Sequence, residues 1–114
     1  MRIWHPSLIP RLCRQHLLGH WRESLGAHEI IIRFYATGKK SGYFTHPQVR
    51  EYFHSPQALY EVLKITRAEM IARGYHPKEL PSVTYDTGVE DLRPWQTLDE
   101  QIAILRGKNC DCDI

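Results

Sequence analysis

A polar block near the N-terminus holds the side chains best suited to chemistry. It contains Gln15, His16, Arg22 and Glu23, with Gly19 between the two pairs. Residues seven apart on an α-helix point in nearly the same direction, so Gln15 would lie above Arg22 and His16 above Glu23. The glycine would let another backbone approach this face closely. The composition favours a binding or catalytic surface. The alternative is a solvated polar face, although such a face more often carries Lys and Glu.

A metal site is a second interpretation of the same helix. His16, His20 and Glu23 have i, i+4, i+7 spacing and could ligate one ion. However, a chain with seven histidines produces such a pair by chance, and no H-E-x-x-H pattern is present. Three cysteines without C-x-x-C spacing argue against a disulfide framework and against a four-ligand zinc site; they are Cys13, Cys110 and Cys112. We therefore expect free thiols, no metal and no cofactor.

Charge is distributed unevenly along the chain. Residues 1–78 contain 12 Lys/Arg and 5 Asp/Glu, whereas residues 79–114 contain 3 Lys/Arg and 8 Asp/Glu. A basic N-terminal part can neutralise the phosphates of a polyanion, and the release of counterions then drives binding. The asymmetry indicates nucleic-acid binding, with solvated charged faces as the alternative.

Helices are the elements that must position these side chains, and the sequence predicts an all-α fold of three to four helices in a compact single domain, residues 1–114. The first helix would start near Pro10 and stop at Gly26, followed by a segment 28–36 that could be helix or strand. A short helix at 46–53, a long one at 55–74 with a buried stripe that includes Ile71, and a last one capped by Thr97 would follow. Long irregular connections, above all residues 75–94 with three prolines, would join them.

Composition excludes several classes of protein. The 114 residues are 42% hydrophobic and 25% charged, which is typical of one ordinary globular domain. No apolar run approaches the roughly 20 residues of a membrane-spanning helix, and no signal peptide follows Arg2. We expect a cytoplasmic monomer without membrane contact.

Several segments resemble one family, the pyrimidine-dimer DNA glycosylase/AP lyases of the phage endonuclease V type. The matching segments are residues 1–3, Cys13, residues 15–18, residues 21–23, residues 38–40, residues 63–75 and residues 98–103. The sequence departs from the family at Gly26, where the family has a second arginine, and at its C-terminus, which is short, acidic and free of aromatic residues.

The resemblance implies a metal-independent enzyme that excises a base from damaged double-stranded DNA and then cleaves the strand. In that family the α-amine of the first residue is the nucleophile, a role that falls here on Met1, and the catalytic carboxylate falls on Glu23. The residues that would bind DNA are Arg2, Gln15, His16, Arg22, Lys39 and Lys40. The alternative from another class is a DNA-binding protein that has kept the fold and lost catalysis; a metal-dependent hydrolase using His16, His20 and Glu23 is a third.

Overall fold

Helices form the regular structure of the protein, which a computed structural model describes over residues 2–85 and 95–114. A 3₁₀ helix, Pro6–Arg11, precedes four α-helices: α1 (Arg14–Thr37), α2 (Pro47–Tyr52), α3 (Pro56–Ala72) and α4 (Leu98–Arg106). Because no strand occurs in the described ranges, the predicted all-α class is confirmed. Residues 75–85 have no regular structure, and residues 86–94 of the same predicted connection lie outside the described residues. Within the described part, no helix is both long and apolar enough to cross a bilayer.

The first α-helix is longer than the sequence predicts. It runs for 24 residues, so the end predicted at Gly26 is wrong, and the ambiguous segment 28–36 is helical. Glycine costs only about 1 kcal/mol in a helix interior, and the burial of apolar side chains beyond it, such as Ile31, outweighs that cost. The helix ends instead at Gly38, whose φ of 73° is the left-handed conformation that terminates helices.

The core lies between α1 and α3, the two elements in most extensive contact. α3 contributes Leu59, Val62, Leu63, Thr66 and Met70, all buried as its apolar spacing predicts. Ile71 was predicted in this stripe, but it is 51% exposed because it lies on the outer side of the last turn. The N-terminal segment completes the core with Ile3, Trp4, Leu8 and Ile9.

The C-terminal part returns to the beginning of the chain. Thr97 and Glu100 form the predicted cap of α4, since each side chain accepts from the backbone N–H of the other. After α4 the tail runs back to the 3₁₀ helix, where the Asp113 N–H donates to the Arg11 carbonyl over 2.7 Å. The Arg11 guanidinium donates in turn to the Asp113 carbonyl, also over 2.7 Å.

Candidate active site at the N-terminal segment

Three successive backbone N–H groups fix the N-terminal segment. Each donates to a buried side chain on a different helix, which is unusual for the first residues of a chain because termini are commonly poorly ordered. The pairs are Ile3 with Gln48 of α2, Trp4 with His20 of α1 (3.0 Å) and His5 with Gln101 of α4 (2.7 Å). The backbone is therefore held rigidly from the third residue onward.

His20 is a structural link between the N-terminal segment, α1 and α3. Its Nδ1 accepts from Trp4, and its Nε2 lies 3.0 Å from Thr66 Oγ1. The Thr66 hydroxyl donates to the Val62 carbonyl, so it accepts the proton on His20 Nε2. Burial lowers the pKa of His20 to about 3, which keeps the ring neutral. Both ring nitrogens are occupied, so His20 is not available for the predicted alternative metal site with His16 and Glu23.

Glu23, Arg2 and His46 lie close enough for their charges to interact. The pKa of His46 is lowered, mainly by burial and also by the positive charge of Arg2, while the negative charge of Glu23 acts in the opposite direction. His46 caps α2, its Nδ1 accepting from the Gln48 N–H over 3.1 Å. Gln48 in turn holds Ile3. His46 is thus influenced by the charges of both Glu23 and Arg2, and it caps the helix whose Gln48 anchors the start of the chain.

Arg2 is held between two indole rings. Its guanidinium carbon lies 5.0 Å from the ring centroid of Trp4 and 4.8 Å from that of Trp95. It also donates a hydrogen bond to Gln96 Oε1. The backbone N–H of Trp95 donates to Glu51 over 2.8 Å, which fixes the start of the last segment beside the N-terminus. Trp95 nevertheless remains 40% exposed and presents aromatic surface to solvent.

An open cavity of about 480 Å³ adjoins Trp95. Its apolar walls are the rings of Phe44, Phe53 and Trp95, and Arg50, Glu51 and His54 supply polar groups. The volume falls in the range of about 300–1,000 Å³ that is typical of small-molecule sites. Aromatic walls beside a cation can receive a planar heterocycle by stacking.

Gln15 and Arg22 are both exposed on α1 and line one open groove with residues 109–111 of the tail. Lys39 and Lys40 are exposed in the turn after α1, about 36 Å from its beginning at 1.5 Å per residue. The four ion pairs within residues 2–85 and 95–114 involve other cations: Arg33, Lys64, Arg67 and Arg73. The predicted DNA-binding cations are thus not neutralised by a carboxylate in the described part of the protein.

His16 is set apart from these residues. Its Nδ1 lies 3.1 Å from Cys13 Sγ and 3.2 Å from Cys112 Sγ, and Cys110 belongs to the same cluster. Met1, the predicted nucleophile, lies outside the described residues.

The sequence analysis assigned no functional role to two residues of the site, His46 and Gln48. The His46-Pro47 pair was a recognisable signal, because a capping residue before proline marks a helix start. Trp95 has no motif around it, and its sequence position allows either stacking on bases or burial. Gln48 also gave no signal, since its acceptor role depends on a backbone group 45 positions away.

A model of one protein family, described as pyrimidine dimer DNA glycosylase, matches residues 1–81. No curated protein and no solved structure gives a significant match. The matched part includes α1, α2, α3 and the anchored N-terminal segment. The chain therefore belongs to the pyrimidine dimer DNA glycosylase family, as its sequence indicated.

Proposed function

We propose that this member of the family is a DNA repair glycosylase with a coupled AP lyase activity, and that the α-amine of Met1 is its nucleophile. One observation carries the proposal: the backbone is fixed at Ile3, the residue that follows Arg2. The charges of Arg2 and Glu23 both act on His46, which caps the helix that holds Ile3. A flexible terminus could not hold an amine at an attack distance, whereas an anchored one can. Pre-positioning of this kind removes much of the entropic barrier to a reaction.

The amine suits this chemistry better than a lysine does. An α-amine has a reference pKa of about 7.7–8.0 and lysine one of about 10.4, so much more of the α-amine is neutral at pH 7. The neutral nitrogen attacks C1′ of the damaged nucleotide, and the bond between C1′ and the base nitrogen breaks. The base leaves with the bonding electrons and takes up a proton. The adduct opens at O4′ to an iminium.

The iminium accounts for strand cleavage. Its positive charge acidifies the proton on C2′, whose removal leads to expulsion of the 3′ phosphate by β-elimination. Glu23 is the group that stabilises the cationic sugar and assists these proton transfers. Its position on α1 beside Arg2 and His46 supports that role. His46, whose pKa is lowered, is a neutral hydrogen-bonding group near the same atoms.

Phosphates bind to the cations that have no carboxylate partner among the described residues. Arg2 and Arg22 hold the phosphates that flank the lesion, Gln15 adds a hydrogen bond, and Lys39 and Lys40 contact the duplex farther along. We leave His16 out of this set because its Nδ1 is directed at two thiols. A nucleotide must leave the stack for C1′ to be reached, and the aromatic cavity beside Trp95 provides a place for an extruded base.

Borohydride reduction tests the proposal. A duplex with one abasic site is incubated with the protein and sodium borohydride, which reduces the imine to a stable amine. We expect a covalent complex of protein and DNA with borohydride and a cleaved strand without it. Binding of the same duplex without either product would instead support the alternative, an inactive DNA-binding protein of this fold.

A further inference from the structure

Four metal-binding side chains meet where the C-terminal tail contacts the beginning of α1. They are Cys13, His16, Cys110 and Cys112, and their four ligand atoms all lie within 4.8 Å of one another. Cys13 is the N-cap of α1 and His16 is three residues later, so the helix geometry directs both to one side. Cys110 and Cys112 come from the other end of the chain, beyond the residues that match the family.

The donor set and its dimensions fit zinc. Three thiolates and one imidazole form one of the common structural zinc sites, with Zn–S distances of about 2.3 Å and Zn–N distances of about 2.0–2.1 Å. In a tetrahedral site, these lengths separate two sulfurs by about 3.8 Å and a sulfur from the nitrogen by about 3.5 Å. The distances from His16 Nδ1 to Cys13 Sγ and Cys112 Sγ, 3.1 and 3.2 Å, are slightly shorter than the sulfur–nitrogen separation in such a site. No two of the four ligand atoms are more than 4.8 Å apart. Shifts of no more than about 1 Å would complete the geometry.

The surroundings also match a thiolate site. The backbone N–H of Cys13 donates to Cys112 Sγ over 3.0 Å, and a donor of this kind stabilises a metal-bound thiolate. The helix dipole at the beginning of α1 likewise favours negative charge on Cys13. The tail itself has no regular secondary structure after α4. A metal ion would add a stronger cross-link to the two hydrogen bonds that already join this mostly polar tail to Arg11.

We propose that Cys13, His16, Cys110 and Cys112 bind one structural Zn²⁺ ion that fastens the C-terminal tail to the start of α1. Binding displaces a proton from each of the three thiols and leaves the sulfurs as thiolates, with no change of oxidation state. The sequence analysis argued against a four-ligand zinc site because the three cysteines lack C-x-x-C spacing, and it did not group them with His16.

The proposed zinc site also helps to form the neighbouring groove. Cys13 and Cys110 line the same groove as Gln15 and Arg22, so the zinc holds the tail as one wall of the surface that carries these residues. Its role is structural, and the proposal stands or falls independently of the glycosylase chemistry.

Metal analysis and cobalt substitution test the site in the full-length protein. We expect close to one zinc per chain after purification under reducing conditions. Replacement of zinc by Co²⁺ should give the visible ligand-field bands of a tetrahedral site and a near-ultraviolet band from thiolate-to-cobalt charge transfer, both removed by added Zn²⁺. Reduced wild-type protein that contains no zinc and gives no cobalt bands would overturn the proposal.

Variants identify the ligands. His16→Ala and Cys112→Ser should each weaken Co²⁺ binding ~100-fold or more, since even outer partners of metal ligands contribute 10–100-fold. His16→Cys should keep one ion with a stronger charge-transfer band, and His76→Ala, at an exposed histidine outside the cluster, should bind like wild type. Unchanged cobalt binding by both His16→Ala and Cys112→Ser would contradict the assignment. If a variant folds poorly, the intensity of the charge-transfer band in the cobalt-loaded wild-type protein tests the assignment instead, because that intensity reports three thiolate ligands.

Discussion

The backbone N–H of Ile3 donates to Oε1 of Gln48, a side chain that is only 3% exposed and lies at the start of α2. The amide of Gln48 also contacts Glu51, over 3.5 Å, and Glu51 accepts the Trp95 N–H. One buried glutamine thus connects the first residues of the chain to α2 and to the segment before α4. In the proposed mechanism, this connection would set the position of the N-terminal amine.

Gln48→Leu should therefore impair catalysis more than it impairs binding. Without the acceptor, the Ile3 N–H stays unpaired, which costs about 1–3 kcal/mol of folding free energy, and the terminus loses its position. Because a displacement of about 1 Å can cost 10²-fold in rate, we expect borohydride trapping to slow by ~10-fold or more at saturating DNA. Gln101→Leu is the matched control, since it removes the acceptor of His5 and should lower stability with a smaller effect on trapping. Equal effects of the two variants on trapping would argue against a specific role for Gln48.

Glu23→Gln should separate catalysis from binding. The amide keeps the shape of the carboxylate and removes its charge, so the cationic sugar loses its stabilising partner. Cleavage of abasic DNA should fall by ~10²-fold or more, with nearly unchanged affinity. Glu29→Gln, on the same helix but paired with Arg33, should cleave at the wild-type rate. Normal cleavage by Glu23→Gln would remove this carboxylate from the mechanism.

Arg22→Ala should lower both DNA affinity and its dependence on salt. Each phosphate that the protein neutralises contributes about −0.9 to the slope of log K against log salt concentration. The variant should therefore show a slope that is about 0.9 less negative than that of wild type. Arg33→Ala, which removes a cation already paired with Glu29, should change the slope little. The measurement is fluorescence anisotropy over a series of salt concentrations, and identical slopes for Arg22→Ala and wild type would exclude this phosphate contact.

His20 should make stability depend on pH in the acidic range. Its pKa in the folded protein is about 3, below the reference of about 6.5, so the unfolded chain binds the proton more readily. The stabilisation is complete above about pH 6.5 and is lost as pH falls, by up to about 1.4 kcal/mol per pH unit. Denaturant unfolding should show wild type more stable than His20→Gln at pH 7, with a difference that shrinks toward pH 4. A wild-type advantage over His20→Gln that does not change with pH would show that His20 does not titrate as described.

The sequence predicts the helices well where the signal is local. The start of α3 after Ser55, most of its buried stripe and the cap of α4 at Thr97 follow from short-range patterns. The end of α1 does not, because Gly26 acts as a local stop signal that tertiary burial overrides. The continuation of α1 past Gly26 depends on contacts with α3. A short stretch of sequence around Gly26 contains no information about those contacts.

The candidate site likewise has one part that the sequence predicts and another that it does not. The block from Gln15 to Glu23 is contiguous and recognisable, and its family has been confirmed over residues 1–81. The anchors Gln48 and Gln101 and the tail cysteines act over 45 to 99 positions in sequence, and only the fold reveals which residues they meet. Buried glutamines that bind backbone groups have no characteristic spacing.

Blocking the N-terminal amine tests the central claim most directly. Acetylated protein, or protein with an uncleaved N-terminal tag, should bind abasic DNA but give essentially no borohydride adduct, because an amide nitrogen is neither basic nor nucleophilic. Protein with the same tag at the C-terminus should trap DNA like the untagged chain. Trapping by the blocked protein would instead place the nucleophile on a lysine, Lys39 or Lys40 first, and would contradict the assignment of Met1.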